Sequence, residues 1–106
     1  MYATIRRYTP KTSTSKETID ELKHRIEEKF TPIVQEIRGF HTYGVVNVGN
    51  KELLSISIFE DRNGAAESTR KSAEFVQRDP LKDQLGKPEV LEGELLVLKE
   101  AGVSVR

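Results

Sequence analysis

The chain has 106 residues, which is one domain's worth and enough for a modest core. Seventeen basic residues balance seventeen acidic ones, and both signs are interleaved, so neither nucleic acid nor an anionic membrane is the expected partner; both reward a basic surplus. The absence of cysteine excludes disulfides, thiolate catalysis and sulfur-ligated zinc.

The opening "MYATIRRYTP" has no apolar stretch of signal-peptide length, and no run approaches a membrane span, so a cytoplasmic protein is expected. Within it "YATIRRY" alternates and reads as a strand that Pro10 stops. Thr14 and Glu17 then stand at capping-box spacing. Ile19, Leu22, Ile26, Phe30, Ile33 and Ile37 recur at steps of three and four, which aligns one apolar stripe along a helix. Pro32 is expected to kink or split that helix, and Gly39 to end it.

"FHTYGVVNV" and "ELLSISIF" flank the turn-former "GNK" and form a hairpin. A second helix follows in "EDRNGAAESTRKSAEFVQRD", capped by Asp61 or Asn63, with Ala65, Thr69, Ala73 and Val76 inward and a Glu67–Lys71 pair outward. Pro80, Gly86 and Pro88 break the next connection, "EVLEGELLVLKE" is the last strand, and 101–106 is a loose tail. The order strand–helix–strand–strand–helix–strand predicts a single α+β domain over 1–100. Its expected form is a ferredoxin-like βαββαβ fold, with a four-stranded antiparallel sheet and both helices on one face. An α+β sandwich with another strand order is the alternative.

Alternation divides each strand into two sets. The strongly apolar set (Ile5; Phe40, Val46, Val48; Leu54, Ile56, Ile58; Leu95, Val97) is expected to face the helices. The mixed set is Tyr2, Thr4, Arg6, Tyr8; His41, Tyr43, Val45, Asn47; Ser55, Ser57, Phe59; Glu92, Glu94, Leu96, Leu98. It is too apolar to lie in water across a whole sheet, so a two-fold homodimer with sheets facing each other is expected.

"RGFHTY" (Gly39, Phe40, Tyr43), "ISIFEDRNGAAES" (Ile56–Ser68) and "KPEVLEGELLVL" (Lys87–Leu98) together resemble the antibiotic biosynthesis monooxygenase family, within the dimeric α/β-barrel superfamily. The likeness spans nearly the whole chain. It implies a dimer, and a hydrophobic pocket between sheet and helices that binds or oxidises a hydrophobic aromatic small molecule with neither metal nor flavin, hence no cofactor. A haem-degrading branch of similar fold relies on a first-strand Asn, a Trp and a helical His; the matching elements here have none of these.

Such an oxygenase needs a dry pocket and groups that favour the substrate's anion. Arg6, His41 and Tyr43 are the residue types for that, and they are the candidate substrate-binding residues; on the parity above they face the partner sheet, where hydrogen bonds and ring packing that hold the dimer are the readier explanation. His24 lies off the apolar stripe and reads as a surface residue. Two distant histidines make no metal motif. Glu92 and Glu94 share a strand face, either as an acid/base pair or as ion-pair partners, for Arg6 or across the dimer. Tyr2 and Tyr8 near Arg6 could stack on an aromatic ligand or pack at the edge. A non-catalytic dimeric module for ligand sequestration, regulation or stress response is the second reading of the chain.

Overall fold

A computed structural model describes residues 1–10, 15–49, 52–78 and 85–100. Strand β1 (Tyr2–Tyr8) leads into a helical rod built of α1 (Lys16–Arg25), a π-helical turn (Ile26–Phe30) and α2 (Thr31–Gln35). Then come β2 (Phe40–Gly49), β3 (Glu52–Phe59), α3 (Arg62–Arg78) and β4 (Glu89–Glu94). The strands form one antiparallel sheet in the order β2-β3-β1-β4, the ferredoxin-like arrangement expected from the sequence. The expected capping box through Thr14, the "GNK" turn, the break at Pro80 and the tail at 101–106 fall wholly or partly outside the described residues. Among the described residues no helix is long and apolar enough to cross a membrane.

Local chemistry fixes the element ends. Ser15 caps α1, its hydroxyl accepting from the Thr18 amide at 3.3 Å. Asp61 caps α3, its carboxylate accepting from the Gly64 amide at 3.1 Å. Pro32 has no amide, and its ring crowds the carbonyl four residues back. The rod answers by widening over the preceding turn, where the Thr31 amide donates to the Ile26 carbonyl. It restarts with Pro32 in the first turn of α2, where a missing donor is harmless.

Two glycines are required by close approach. Gly39 has φ +83°, and its carbonyl accepts from the Glu60 amide at 2.8 Å, which locks the start of β2 to the end of β3. A Cβ on Gly64 would stand 2.9 Å from the Cβ of Phe59, itself fully buried. Gly64→Val is therefore expected to destabilise the fold by about 2–3 kcal/mol through overpacking, read as a lowered urea midpoint at constant slope.

Which face of the sheet meets the helices differs from the sequence expectation. Thr4, Arg6, Tyr8, Leu53, Ser55, Ser57 and Phe59 are buried; on the opposite parity Ile5, Leu54 and Ile56 stay partly exposed, and Ile58 is 8% exposed. The strongly apolar set on β1 and β3 thus lies on the face that the helices leave uncovered. Strand β2 carries an irregularity at His41: Phe40 pairs with Phe59 but Tyr43 pairs with Ser57, so three residues of β2 span two of β3. That extra residue puts Phe40 and Tyr43 on the same, helix-covered face. On the uncovered face Val46, Val48 and Leu91 are 45%, 49% and 57% exposed.

Further expectations are revised. The last strand stops at Glu94, because β1, its neighbour among the described residues, runs out: the Leu95 amide reaches the Met1 carbonyl at 2.8 Å, and Leu96 and Val97 beyond it are 82% exposed. On α3 the inner residues are Gly64, Ala65, Ser68, Ser72 and Val76, with Ala73 exposed. The Glu67 carboxylate is held by Arg70, at 2.7 Å from its Nε, while the expected partner Lys71 acts on it at longer range.

Candidate functional site

The core under the helices is divided by a polar band. Tyr8, Leu53 and Val76 belong to one apolar cluster with Leu22 and Leu85; Phe59 and Ala65 belong to another with Phe30, Val34 and Ile37. Between them β1 places Thr4 and Arg6, β3 places Ser55 and Ser57, and α3 places Ser68 and Ser72, all buried. Three elements thus interrupt their apolar pattern at the same level. Six buried polar side chains at the centre of a small core weaken it, since each must find partners or cost stability.

Arg6 is the centre of this band, 1% exposed. Its guanidinium donates to Ser57 Oγ at 3.1 Å and Thr69 Oγ1 at 3.1 Å, with Ser68 Oγ at 3.5 Å. All three are neutral hydroxyls. Among the described residues, the carboxylate nearest in the network is Glu92, which accepts from Thr69 Oγ1 at 3.3 Å and so meets Arg6 only through that hydroxyl. Desolvation lowers the pKa of Arg6, opposed by Tyr8, Tyr43 and Glu92. Arg6 Nε, Thr4 Oγ1 and Ser55 Oγ are buried with no hydrogen-bond partner among the described residues.

Beside the band runs a groove of about 320 Å³ between α1, the π-helical turn and β2. Its walls are Ile19, Leu22, Ile26, Tyr43, Val45 and Leu53, with Lys23, Glu27 and Asn47 among its polar residues. A smaller cavity of about 30 Å³ shares Ile26, Tyr43, Val45 and Leu53 with it and adds Tyr8, Ser55 and Ser72. Tyr8 donates to or accepts from Ser72 at 3.0 Å. Tyr43 therefore stands between the apolar groove and the polar band, its ring edge-on to Phe30 at 5.6 Å between centroids. A larger cleft between α2 and α3, about 1300 Å³, is open and lined by charges of both signs, several paired with each other, and lacks an enclosed apolar lining.

Burial pushes the Tyr43 phenol well above the ordinary tyrosine range, and Arg6 pulls the other way. The phenol is neutral at working pH and available as a hydrogen-bond donor. Because its folded pKa exceeds the unfolded value near about 10, the folded state holds this proton longer. The stabilisation is complete below that pH and is lost as pH rises above it. Tyr43→Phe is expected to flatten the fall in stability above about pH 10, where one such group accounts for up to about 1.4 kcal/mol per pH unit; urea midpoints across the alkaline range check this.

Of the three candidates read from the sequence, the structure brings Arg6 and Tyr43 together on the helix-covered face and leaves His41 apart. The bulge at His41 turns it away from the groove: its Nδ1 is 2.8 Å from Thr42 Oγ1, and its Nε2 is 3.8 Å from Glu100. Tyr2 is held outside by Arg62, which donates to its hydroxyl at 2.8 Å and sits over its ring. His24 is exposed beside Glu28. No cluster of metal-ligating side chains occurs among the described residues. The residues missed were Ser55, Ser57, Ser68 and Ser72. Their signal was serine recurring at inward parity in "LLSISIF" and in "ESTRKSA", where a core-facing strand or helix normally carries larger apolar groups.

No family model and no curated protein matches the sequence. Solved structures do match by fold. NE2512 from Nitrosomonas europaea, a protein of unknown function, superposes with a TM-score of 0.70 at 17% identity, over 96% of this chain and 95% of that one. A dimeric ferredoxin-like protein from an uncultured marine organism gives 0.68 at 11% identity, over 94% and 98%. The monooxygenase from the gene ActVA-Orf6 of Streptomyces coelicolor, solved with the ligand nanaomycin D, gives 0.65 at 12% identity, over 93% and 92%. The fold is that of the antibiotic biosynthesis monooxygenases, as the resemblance implied.

Proposed function

We propose, from the shared fold and the groove, that this chain is a dimeric monooxygenase-like protein that takes a hydrophobic aromatic small molecule between α1 and β2. The observation that carries the reading is the groove itself: about 320 Å³, walled by Ile19, Leu22, Ile26, Val45 and Leu53, with the neutral Tyr43 phenol, which feels the charge of the buried Arg6, in its lining. That volume is within the usual range for small-molecule sites. The ligand-bound monooxygenase of the same fold supports it.

The chemistry suited to such a site draws its electrons from the substrate. An activated CH2 of a reduced polycyclic ring becomes a carbonyl, one atom of O2 enters, and the two ring hydrogens leave with the other oxygen atom as water. All four electrons come from the ring carbon, so neither metal nor flavin is needed for the balance. The protein's share is to exclude water, orient the ring and favour its enolate, with Tyr43 donating a hydrogen bond to the developing oxyanion. A second reading, ligand binding without turnover, is favoured by one observation: the groove-lining residues that could act as a base, Lys23 and Glu27, are on the exposed side of the rod. Oxygen uptake with anthrone- and quinol-type substrates in chelator-treated, flavin-free buffer decides between them. Turnover establishes the oxygenase, tight binding without uptake establishes the binding protein, and neither rejects the groove as the site.

The homodimer forms, in this proposal, through the uncovered sheet face. Ile5, Val46, Leu54, Ile56 and Leu91 lie there with no helix over them, and an apolar sheet face of this extent is covered in solution. A dimeric ferredoxin-like protein of the same fold supports this arrangement.

A further inference from the structure

Beside the groove's inner wall lies Arg6, a buried cation with no carboxylate in direct contact among the described residues. A guanidinium removed from water is normally matched by a carboxylate. Arg6 is 1% exposed and, among the described residues, hydrogen-bonds to hydroxyls; Glu92, the acid in that network, is exposed and one hydroxyl removed. The band also holds unused polar atoms. Arg6 Nε and Ser55 Oγ belong to residues opposite each other in the β1–β3 register, both are without hydrogen-bond partners among the described residues, and Ser55 lines the small cavity that adjoins the groove. The guanidinium also acts electrostatically on Tyr8 and Tyr43, which line the same cavity. The side chains of Tyr8, Ser55 and Ser72 therefore line a cavity of about 30 Å³ that adjoins the apolar groove, and Arg6, just outside its lining, is the positive charge next to them.

We infer that the ligand is an aromatic acid, already anionic in neutral water, whose anionic oxygen enters the small cavity and supplies the charge partner that Arg6 lacks. This deepens the proposal of an aromatic ligand in the groove and rests on it. The shared chemistry is one anionic oxygen at the end of a flat apolar body, from either a carboxylate or an acidic ring hydroxyl. Charge-assisted bonds to a guanidinium are about twice as strong as neutral ones, and the water-poor surroundings strengthen them further. The aliphatic walls bind the ring and Arg6 selects its charge.

Two isosteric pairs test this by calorimetry with the full chain at pH 7.5: 2-naphthoate against 2-naphthamide, and 2-hydroxy-1,4-naphthoquinone against its 2-methoxy ether. In the wild type the acid of at least one pair is expected to bind tenfold or more tightly than its neutral partner. The pair that discriminates tells carboxylate from acidic hydroxyl. In Arg6→Gln, which keeps hydrogen-bonding capacity without charge, the two members of that pair should bind alike, with the neutral member's affinity little changed. Equal binding of acid and neutral partners by the wild type overturns the charge inference and leaves the aromatic reading standing. Failure of all four to bind overturns both. Discrimination in the wild type is measurable whether or not Arg6→Gln folds; if that variant folds and still discriminates, Arg6 is not the recognition group and the inference fails.

Discussion

Ile56→Glu is expected to convert a dimer into a folded monomer. Ile56 lies in the middle of the uncovered face, opposite Ile5 on β1 and Gly44 on β2, and is partly exposed in the single chain. In a monomer a glutamate there reaches water, and the cost to folding is small. In a dimer with facing sheets it is taken out of water against an apolar surface, which costs several kcal/mol per copy, counted twice by symmetry. An interface of standard size, about 800 Å² per partner, does not survive a loss of that order. Light scattering behind gel filtration should give twice the 12.0 kDa chain mass for the wild type and the chain mass for the variant, with the same far-ultraviolet circular dichroism. A wild type that runs as a monomer at tens of micromolar would refute the dimer outright. Leu96→Asp is a milder companion, since Leu96 is 82% exposed beyond the end of β4.

Much of the fold was legible because each element is punctuated. Pro10, Pro32, Gly39, Asp61 and Pro88 all act at element ends, and the 3.6-residue stripe from Ile19 to Ile37 was unambiguous. The assignment of faces was not legible. The rule that the more apolar side of a strand points to the core holds when there is only one apolar environment. Here Ile5, Leu54, Ile56 and Ile58 have the parity of the face that the helices leave uncovered, while the helix-covered face carries arginine and serine. Both faces obey alternation, so the pattern gives two sets and no sign. The bulge at His41 added a second ambiguity, because it shifts Tyr43 by one parity relative to Phe40. Arg6 and Tyr43 were visible as residue types, but their meeting beneath α3 depends on Ser68 and Thr69 being small enough to admit a guanidinium. That contact, between residues 62 and 63 positions apart, has no local trace in the sequence.

The same parity gives the sharpest test of where the ligand sits. Val45 and Val46 are neighbours on β2, similarly exposed at 40% and 45%, and they point to opposite faces. Val45 pairs with Ser55 and lines both the groove and the small cavity; Val46 pairs with Leu54 on the uncovered face. Val45→Trp places an indole where the aromatic ligand would lie. Because the site is partly open to solvent, the fold should lose no more than about 0.5 kcal/mol. Ligand affinity should fall on the order of 100-fold, equivalent to about 2.7 kcal/mol, since the ligand can bind only by displacing a side chain that fills its volume. Val46→Trp adds the same surface to the other side of the strand and should leave the affinity of each chain for ligand within a few-fold of wild type, whatever it does to the dimer. Calorimetry and oxygen uptake on the two variants therefore distinguish a site under the helices from one between the sheets: loss at 45 with retention at 46 places it under α1, and the reverse places it in the dimer interface.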